Sequence, residues 1–166
     1  AGRGLLFPYK LAQSNGAKDF LAESNCRWMG ANCQRDISPV TNFGAAGFRL
    51  TTTNPRAELT FRMRDTATSE SRFFTKVIVF QRKTALEYDL EVRDEASNQV
   101  AQLFVEDDYA RSFYFDRPVG SFTVAAKKNE TQERTLTIDG VSVENELSGV
   151  LYHSIGVNGA KFMDFA

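Results

Sequence analysis

The chain has 166 residues, of which 42% are hydrophobic and 25% charged, and its formal net charge is −1 at pH 7. This composition is typical of one globular domain, and it excludes a basic surface for nucleic acid or an anionic membrane. No apolar run approaches the roughly 18 residues of a membrane span. The sequence shows neither a signal-peptide pattern nor an initiator methionine, so we expect an excised or mature piece of a longer protein.

The first 19 residues show no sustained hydrophobic period, and we expect them to be irregular apart from one helical turn over residues 9–12. Short strand-like segments separated by turn residues follow from Phe20 onward. The segment 73–80 is nearly continuously apolar, as in a central strand. The other predicted strands cover residues 20–23, 26–29, 47–53, 59–63, 88–92, 100–105, 113–115, 122–126, 136–138 and 141–143.

About ten short strands at roughly ten-residue spacing predict an all-β protein, an antiparallel jelly-roll-like sandwich with short irregular or helical ends. The 14 phenylalanines favour an aromatic core between the two layers. Asp139-Gly140 lies between the last two strands and predicts a hairpin there.

The two cysteines, Cys26 and Cys33, are too far apart for a CxxC redox or zinc site. Two interpretations are open, a disulfide across the tip of a hairpin or two buried thiols. We favour the disulfide, because Gly30-Ala31-Asn32 can form the turn. Such a bridge would stabilise the fold by about 2.5 kcal/mol and would place the protein in an oxidising compartment.

Three aromatic residues, Trp28, Tyr109 and Tyr114, are candidates for a platform on which a sugar ring stacks. Aromatic faces pack against the C–H face of a pyranose, and a polar neighbour such as Arg111 can bond its hydroxyls. The opposing interpretation is that these rings belong to the core, which is the commoner position of an aromatic residue on a strand.

The densest acidic cluster is the segment 106–108, and its carboxylates make a structural calcium ion conceivable, although we expect neither a cofactor nor a metal. The interpretation as a solvated turn is preferred. His153 is the single histidine, and we expect a structural or surface role for it. No pair of carboxylates can be assigned to glycoside hydrolysis from the sequence.

Both ends of the chain resemble parts of SGNH (GDSL-type) hydrolases of Bacteroidetes cell envelopes. Residues 2–12 (GRGLLFPYKLA), continuing into Ser14-Asn15-Gly16, resemble the segment that follows the nucleophile helix of that family. Residues 152–160 (YHSIGVNGA) resemble its second conserved block, and by this resemblance Gly159 is the oxyanion-hole glycine. Residues 135–141 resemble the last strands of galactose-binding-like jelly rolls.

The resemblance implies three parts: residues 1–19 after the nucleophile helix, an inserted carbohydrate-binding-module-like sandwich over 20–148, and the second block over 149–166. The GDS, GxND and DxxH motifs of the family are absent, so we expect no activity from this chain alone. The implied function is a non-catalytic module that binds polysaccharide or peptidoglycan glycan beside the esterase domain of its parent, in the periplasm or outside the cell. The alternative is a structural or protein-interaction sandwich without a sugar site.

Overall fold

The computed structural model describes residues 2–13, 19–33, 43–44, 46–64, 73–82, 84–127 and 134–148. These residues form an all-β, antiparallel sandwich with one short 3₁₀ helix, as predicted. In chain order the elements are β1 (Gly2–Leu6), the 3₁₀ helix (Tyr9–Ala12), β2 (Phe20–Ser24), β3 (Met29–Asn32), β4 (Phe48–Thr52), β5 (Glu58–Met63), β6 (Phe74–Phe80), β7 (Leu90–Asp94), β8 (Gln102–Glu106), β9 (Ala110–Val119), β10 (Ser121–Ala126), β11 (Leu136–Ile138) and β12 (Gly140–Glu144).

The strands form one large sheet and two smaller ones. The five-stranded sheet has the order β1-β12-β6-β9-β8, so that β6 lies at its centre and β8 at an edge. A four-stranded sheet, β2-β5-β10-β7, and a three-stranded sheet, β11-β4-β3, complete the sandwich. Most neighbours in these sheets are distant in sequence, so the topology depends on long-range pairing.

The core is aromatic, as the phenylalanine content predicted. The Phe122 ring of β10 stacks on Phe61 of β5 with centroids 5.0 Å apart, and it meets the edge of Phe74 from β6 at 5.3 Å. The second contact joins the four-stranded sheet to the five-stranded sheet across the core. The predicted alternation in β5 is confirmed, because Leu59, Phe61 and Met63 are buried while the residues between them are partly or fully exposed.

Two local predictions are corrected and one is confirmed. Residues 2–6 are not irregular but form β1, which pairs with β12 and therefore belongs to the sandwich. The predicted helical turn over 9–12 is confirmed. Asp139-Gly140 does not close a hairpin, since β11 pairs with β4 in one sheet and β12 pairs with β6 in another. The connection between the strands instead passes from the three-stranded sheet to the five-stranded sheet.

The predicted disulfide between Cys26 and Cys33 is wrong, because neither side chain is in a disulfide. The residues expected to form a turn, Gly30 to Asn32, are part of β3. The extended strand β3 lies between the two cysteines and keeps them apart, whereas the Cα atoms of a disulfide lie only about 4.4–6.8 Å apart. The Sγ atom of Cys26 instead lies 3.9 Å from Thr52 Oγ1, and Cys33 is buried.

Candidate functional site

A cleft of about 400 Å³ opens at one end of the sandwich, and we call it the Tyr109 cleft. Backbone hydrogen bonds bring its parts together: the Gln81 N–H donates to the Tyr109 carbonyl (3.0 Å), and the Asp139 N–H donates to the Phe80 carbonyl (2.8 Å). The end of β6, the start of β9 and the link between β11 and β12 therefore meet at one place. The cleft is lined by Leu5, Phe43, Gly44, Arg49, Phe80, Arg82, Tyr109 and Asp139.

Tyr109 offers the most accessible ring of this cleft, with 64% of the residue exposed. The carboxylate of Asp107 holds the turn before β9, since its Oδ1 accepts hydrogen bonds from the backbone N–H groups of Tyr109 and Ala110, both at 2.7 Å. An aspartate that caps its own turn in this way fixes the backbone of the residues that follow. The Tyr109 ring is thus presented to solvent from an ordered turn.

The lining of the cleft also includes a bidentate ion pair. Arg49 Nε donates to Asp139 Oδ1 at 2.7 Å and Arg49 Nη2 donates to Oδ2 at 2.8 Å. Burial raises the pKa of Asp139, and the hydrogen bonds from Arg49 oppose that shift. The hydrogen bond to Asp139 raises the pKa of Arg49. A planar guanidinium held in this fork keeps further N–H donors in a fixed direction.

Gly44 is required beside this pair. A Cβ atom at Gly44 would lie 2.5 Å from Asp139 Cβ and 3.0 Å from the Asp139 carbonyl oxygen. Such contacts are too short for any side chain unless the backbone moves. Glycine therefore lets the segment at residue 44 approach the ion pair closely.

A buried polar network lies behind the cleft. Arg111 is only 3% exposed; its Nε donates to Glu106 Oε1 at 2.7 Å, and its Nη1 donates to the Gln81 side-chain oxygen. Gln81 Nε2 in turn donates to Glu87 Oε2 at 3.1 Å. Glu87 also accepts hydrogen bonds from the backbone N–H (3.1 Å) and the hydroxyl (2.8 Å) of Thr137. The network joins β9, β6 and β11, so it fixes the elements that carry the cleft.

Glu87 makes the stability of this network depend on pH. Burial raises the pKa of Glu87 above its ordinary value of 4.5, against the hydrogen bonds from Thr137 and Gln81. The folded protein therefore binds the proton of the Glu87 carboxyl more tightly than the unfolded chain does. The stabilisation that comes from protonated Glu87 is full below pH 4.5 and is lost as the pH rises through the folded-state pKa. We expect Glu87→Gln to remove that loss, so that the variant gains stability relative to wild type between pH 4.5 and neutrality.

Urea unfolding of both proteins across this pH range measures the difference. The matched control is Glu146→Gln, at an exposed glutamate, which should follow the wild-type pH profile. A Glu87→Gln profile that runs parallel to wild type would contradict the assignment.

The three predicted platform aromatics do not form one cluster. Trp28 is a core residue, only 7% exposed, and its Nε1 donates to Ser24 Oγ at 2.6 Å. At this exposure the Trp28 ring offers little surface to a sugar, and the stacking role predicted for it stays a prediction. Tyr114 is 36% exposed on the outer face of the five-stranded sheet. Arg111 is buried on the opposite face of the same strand, and its predicted contact with a ligand stays a prediction.

The acidic cluster at 106–108 is used within the protein. Glu106 accepts from Arg111, and Asp107 caps the turn that precedes β9. Within the described ranges no group of three or more His, Cys, Asp or Glu side chains could hold a metal ion. The expectation of no cofactor and no metal, with structural calcium as its alternative, stays a prediction. Gly159 and His153, the oxyanion-hole glycine and the single histidine of the sequence analysis, lie outside the described residues.

The sequence analysis missed Phe80, Arg49 and Asp139 as site residues. Phe80 stands last in an apolar run and was assigned to a covered central strand, while Asp139 was assigned to a hairpin turn. Arg49 is one arginine among several on the strands. The sequence pointed to an unusual backbone at this position only through Gly140, which follows Asp139 and which the structure holds at φ +153°.

No protein-family model matches the chain, and no curated protein matches it. A family 32 carbohydrate-binding module from NanJ of Clostridium perfringens, solved in complex with galactose, is 10% identical, with a TM-score of 0.43 over 75% of this chain and 92% of that one. A family 32 module of a C. perfringens family 89 protein, in complex with GalNAc-β-1,3-galactose, is 14% identical, with a TM-score of 0.42 over 75% of this chain and 94% of that one.

A family 89 glycoside hydrolase from C. perfringens, in complex with 2-acetamido-1,2-dideoxynojirmycin, is 10% identical, with a TM-score of 0.44 over 87% of this chain and 15% of that one. The resemblance of both ends of the chain to SGNH-type hydrolases stays a prediction. In the part of the chain that the structure describes, no helix has the length and apolar character needed to cross a membrane.

Proposed function

We propose that the protein is a carbohydrate-binding module whose ligand enters the Tyr109 cleft. The observation that carries the proposal is that an exposed tyrosine ring, held by its turn, and the Arg49–Asp139 pair line one cleft. A pyranose has an apolar C–H face and a rim of hydroxyl groups. An aromatic ring with fixed donors and acceptors facing it matches both.

The charges of the cleft favour a neutral, hydroxyl-rich ligand. Asp139 neutralises Arg49 through two short hydrogen bonds, so this wall offers directed polar atoms and little net charge. Arg82 is the remaining charged side chain among the residues that line the cleft. A strongly anionic ligand would require more uncompensated positive charge than the cleft provides.

The principal test is the loss of glycan binding in Tyr109→Ala. We expect wild-type protein to bind at least one class on an array of galactosides, glucans, xylans and peptidoglycan fragments, and Tyr109→Ala to weaken that binding by more than ~10-fold, as expected for an aromatic contact at the centre of a site. Isothermal titration with the selected sugar measures the change. Circular dichroism confirms that the variant remains folded.

Met29→Ala is the matched control, because Met29 is also 64% exposed and does not line the cleft. It should bind the selected sugar as wild type does. Equal binding of the sugar by wild type and Tyr109→Ala would contradict the proposed site. Wild-type protein that binds no glycan on the array would select the alternative, a structural or protein-interaction sandwich.

The proposal includes a context for the module. The sequence resemblance of residues 2–12 and 152–160 supports an accessory role beside an SGNH-type esterase that acts on acylated polysaccharide or peptidoglycan, in the periplasm or outside the cell. Gly159 would then be an oxyanion donor of the parent enzyme. A GDS motif in the flanking sequence upstream and a GxND motif downstream would support this context, and flanking sequence without them would contradict it.

A further inference from the structure

The Tyr109 cleft continues onto the outer face of the five-stranded sheet. Phe80 lines the cleft and is the last residue of β6. Side chains of a strand alternate between its two faces, so Lys76, Ile78 and Phe80 share one face, while Val77 and Val79 are buried in the core. Four residues of strand, or about 13 Å, separate the positions of Phe80 and Lys76 on that outer face.

A second aromatic group occupies the far end of this row. Lys76 is directly opposite Tyr114 of β9. The Tyr114 ring meets Phe104 edge to face, with centroids 5.2 Å apart and an interplanar angle of 62°. Phe104 is 70% exposed and lies where the β8–β9 register shifts. We call Lys76, Phe104, Tyr114 and Glu144 the outer-face platform.

Polar groups of fixed position flank these rings. Lys76 Nζ lies 5.7 Å from the centroid of the Tyr114 ring and donates to Glu144 Oε2 at 2.8 Å. Glu144 stands directly opposite Lys76 on β12. The platform thus repeats the chemistry of the cleft, with an exposed ring beside a cation–carboxylate pair.

We propose that the Tyr109 cleft and the outer-face platform are two subsites of one surface for a linear oligosaccharide. This inference rests on the proposed function and names its ligand class, a glycan chain rather than a single terminal sugar. A separation of about 13 Å along one strand exceeds the size of a monosaccharide and suits a chain of several units. A chain that holds both subsites gains affinity because the second contact is intramolecular.

The test is the dependence of affinity on chain length. Wild type, Tyr109→Ala and Tyr114→Ala are titrated calorimetrically with galactose-, glucose-, xylose- and N-acetylglucosamine-based oligomers, from the monosaccharide to the hexasaccharide. For the series that binds, we expect wild-type affinity to rise by at least ~10-fold with length. Tyr114→Ala should bind the monosaccharide as wild type does and lose that rise, whereas Tyr109→Ala should lose both.

The outcomes separate the two proposals. Two results would overturn the two-subsite surface and leave the proposed function intact, provided that monosaccharide binding needs Tyr109. In the first, affinity does not rise for longer chains. In the second, affinity rises with chain length and the rise survives in both Tyr114→Ala and Phe104→Ala. Absence of binding in every series overturns both. Concentration-dependent self-association that Phe104→Ala abolishes, without any effect on sugar binding, would assign the platform to a second copy of the chain instead.

Discussion

Replacement of Phe122 with alanine should destabilise the protein by about 3–5 kcal/mol, the usual cost of removing a large core aromatic side chain. Phe122 is 0% exposed and contacts Phe61 within its own sheet and Phe74 across the core. Its removal loses buried apolar surface and leaves a cavity between the two layers. Urea unfolding monitored by circular dichroism measures the loss.

Phe104→Ala is the matched control, because it removes the same side chain from a position that is 70% exposed. We expect a change within about 0.5 kcal/mol, as for surface substitutions in general. Equal losses for Phe122→Ala and Phe104→Ala would show that the layers do not pack around Phe122. The pair of variants thus tests the sandwich itself, independently of any ligand.

Replacement of Asp139 with alanine should cost about 3 kcal/mol and should also abolish glycan binding in the Tyr109 cleft. The substitution leaves the Arg49 guanidinium without its bidentate partner, in a pair whose side chains are only 20% and 9% exposed. An uncompensated charge in such a site is far more costly than the pair is stabilising. Thermal and urea unfolding measure the stability, and calorimetric titration measures the binding.

The control for this variant is Glu95→Ala, which also removes a carboxylate from an arginine. Glu95 pairs with Arg62, whose side chain is 45% exposed, so solvent screens the charge that remains. We expect a loss below about 1 kcal/mol and unchanged binding. A loss as large as that of Asp139→Ala would mean that the cleft pair has no special role in the fold.

Together, the two proposals give the outer side of the five-stranded sheet a binding function and leave its inner side to packing. Strand β9 illustrates the division, since Arg111, Phe113 and Phe115 are buried while Tyr114 is exposed. The buried arginine is hydrogen-bonded to Gln81 and Glu106. We therefore expect it to position the elements of the cleft without contacting a ligand.

The sequence by itself determined the fold class and most of the strands. Alternating apolar and polar residues, as in β5 and β7, indicate which side of each strand is buried, because a strand alternates its faces whatever its neighbours are. The content of 14 phenylalanines indicated an aromatic core, because large apolar rings are buried on folding. Tyr109 was also a candidate from the sequence, as an aromatic residue with polar neighbours, and its role in a ligand site stays a prediction.

The tertiary structure alone decided how these strands pair and which loops meet. The pairing of β1 with β12 and of β11 with β4 joins segments far apart in sequence, and no local pattern encodes it. The long-range pairing of β11 and β12 in different sheets replaced a predicted hairpin, the extended strand β3 lies between Cys26 and Cys33, and Trp28 is buried in the core. Arg49 and Asp139 became one wall of a cleft because strands separated by about half the chain lie side by side, and only long-range packing brings such residues together.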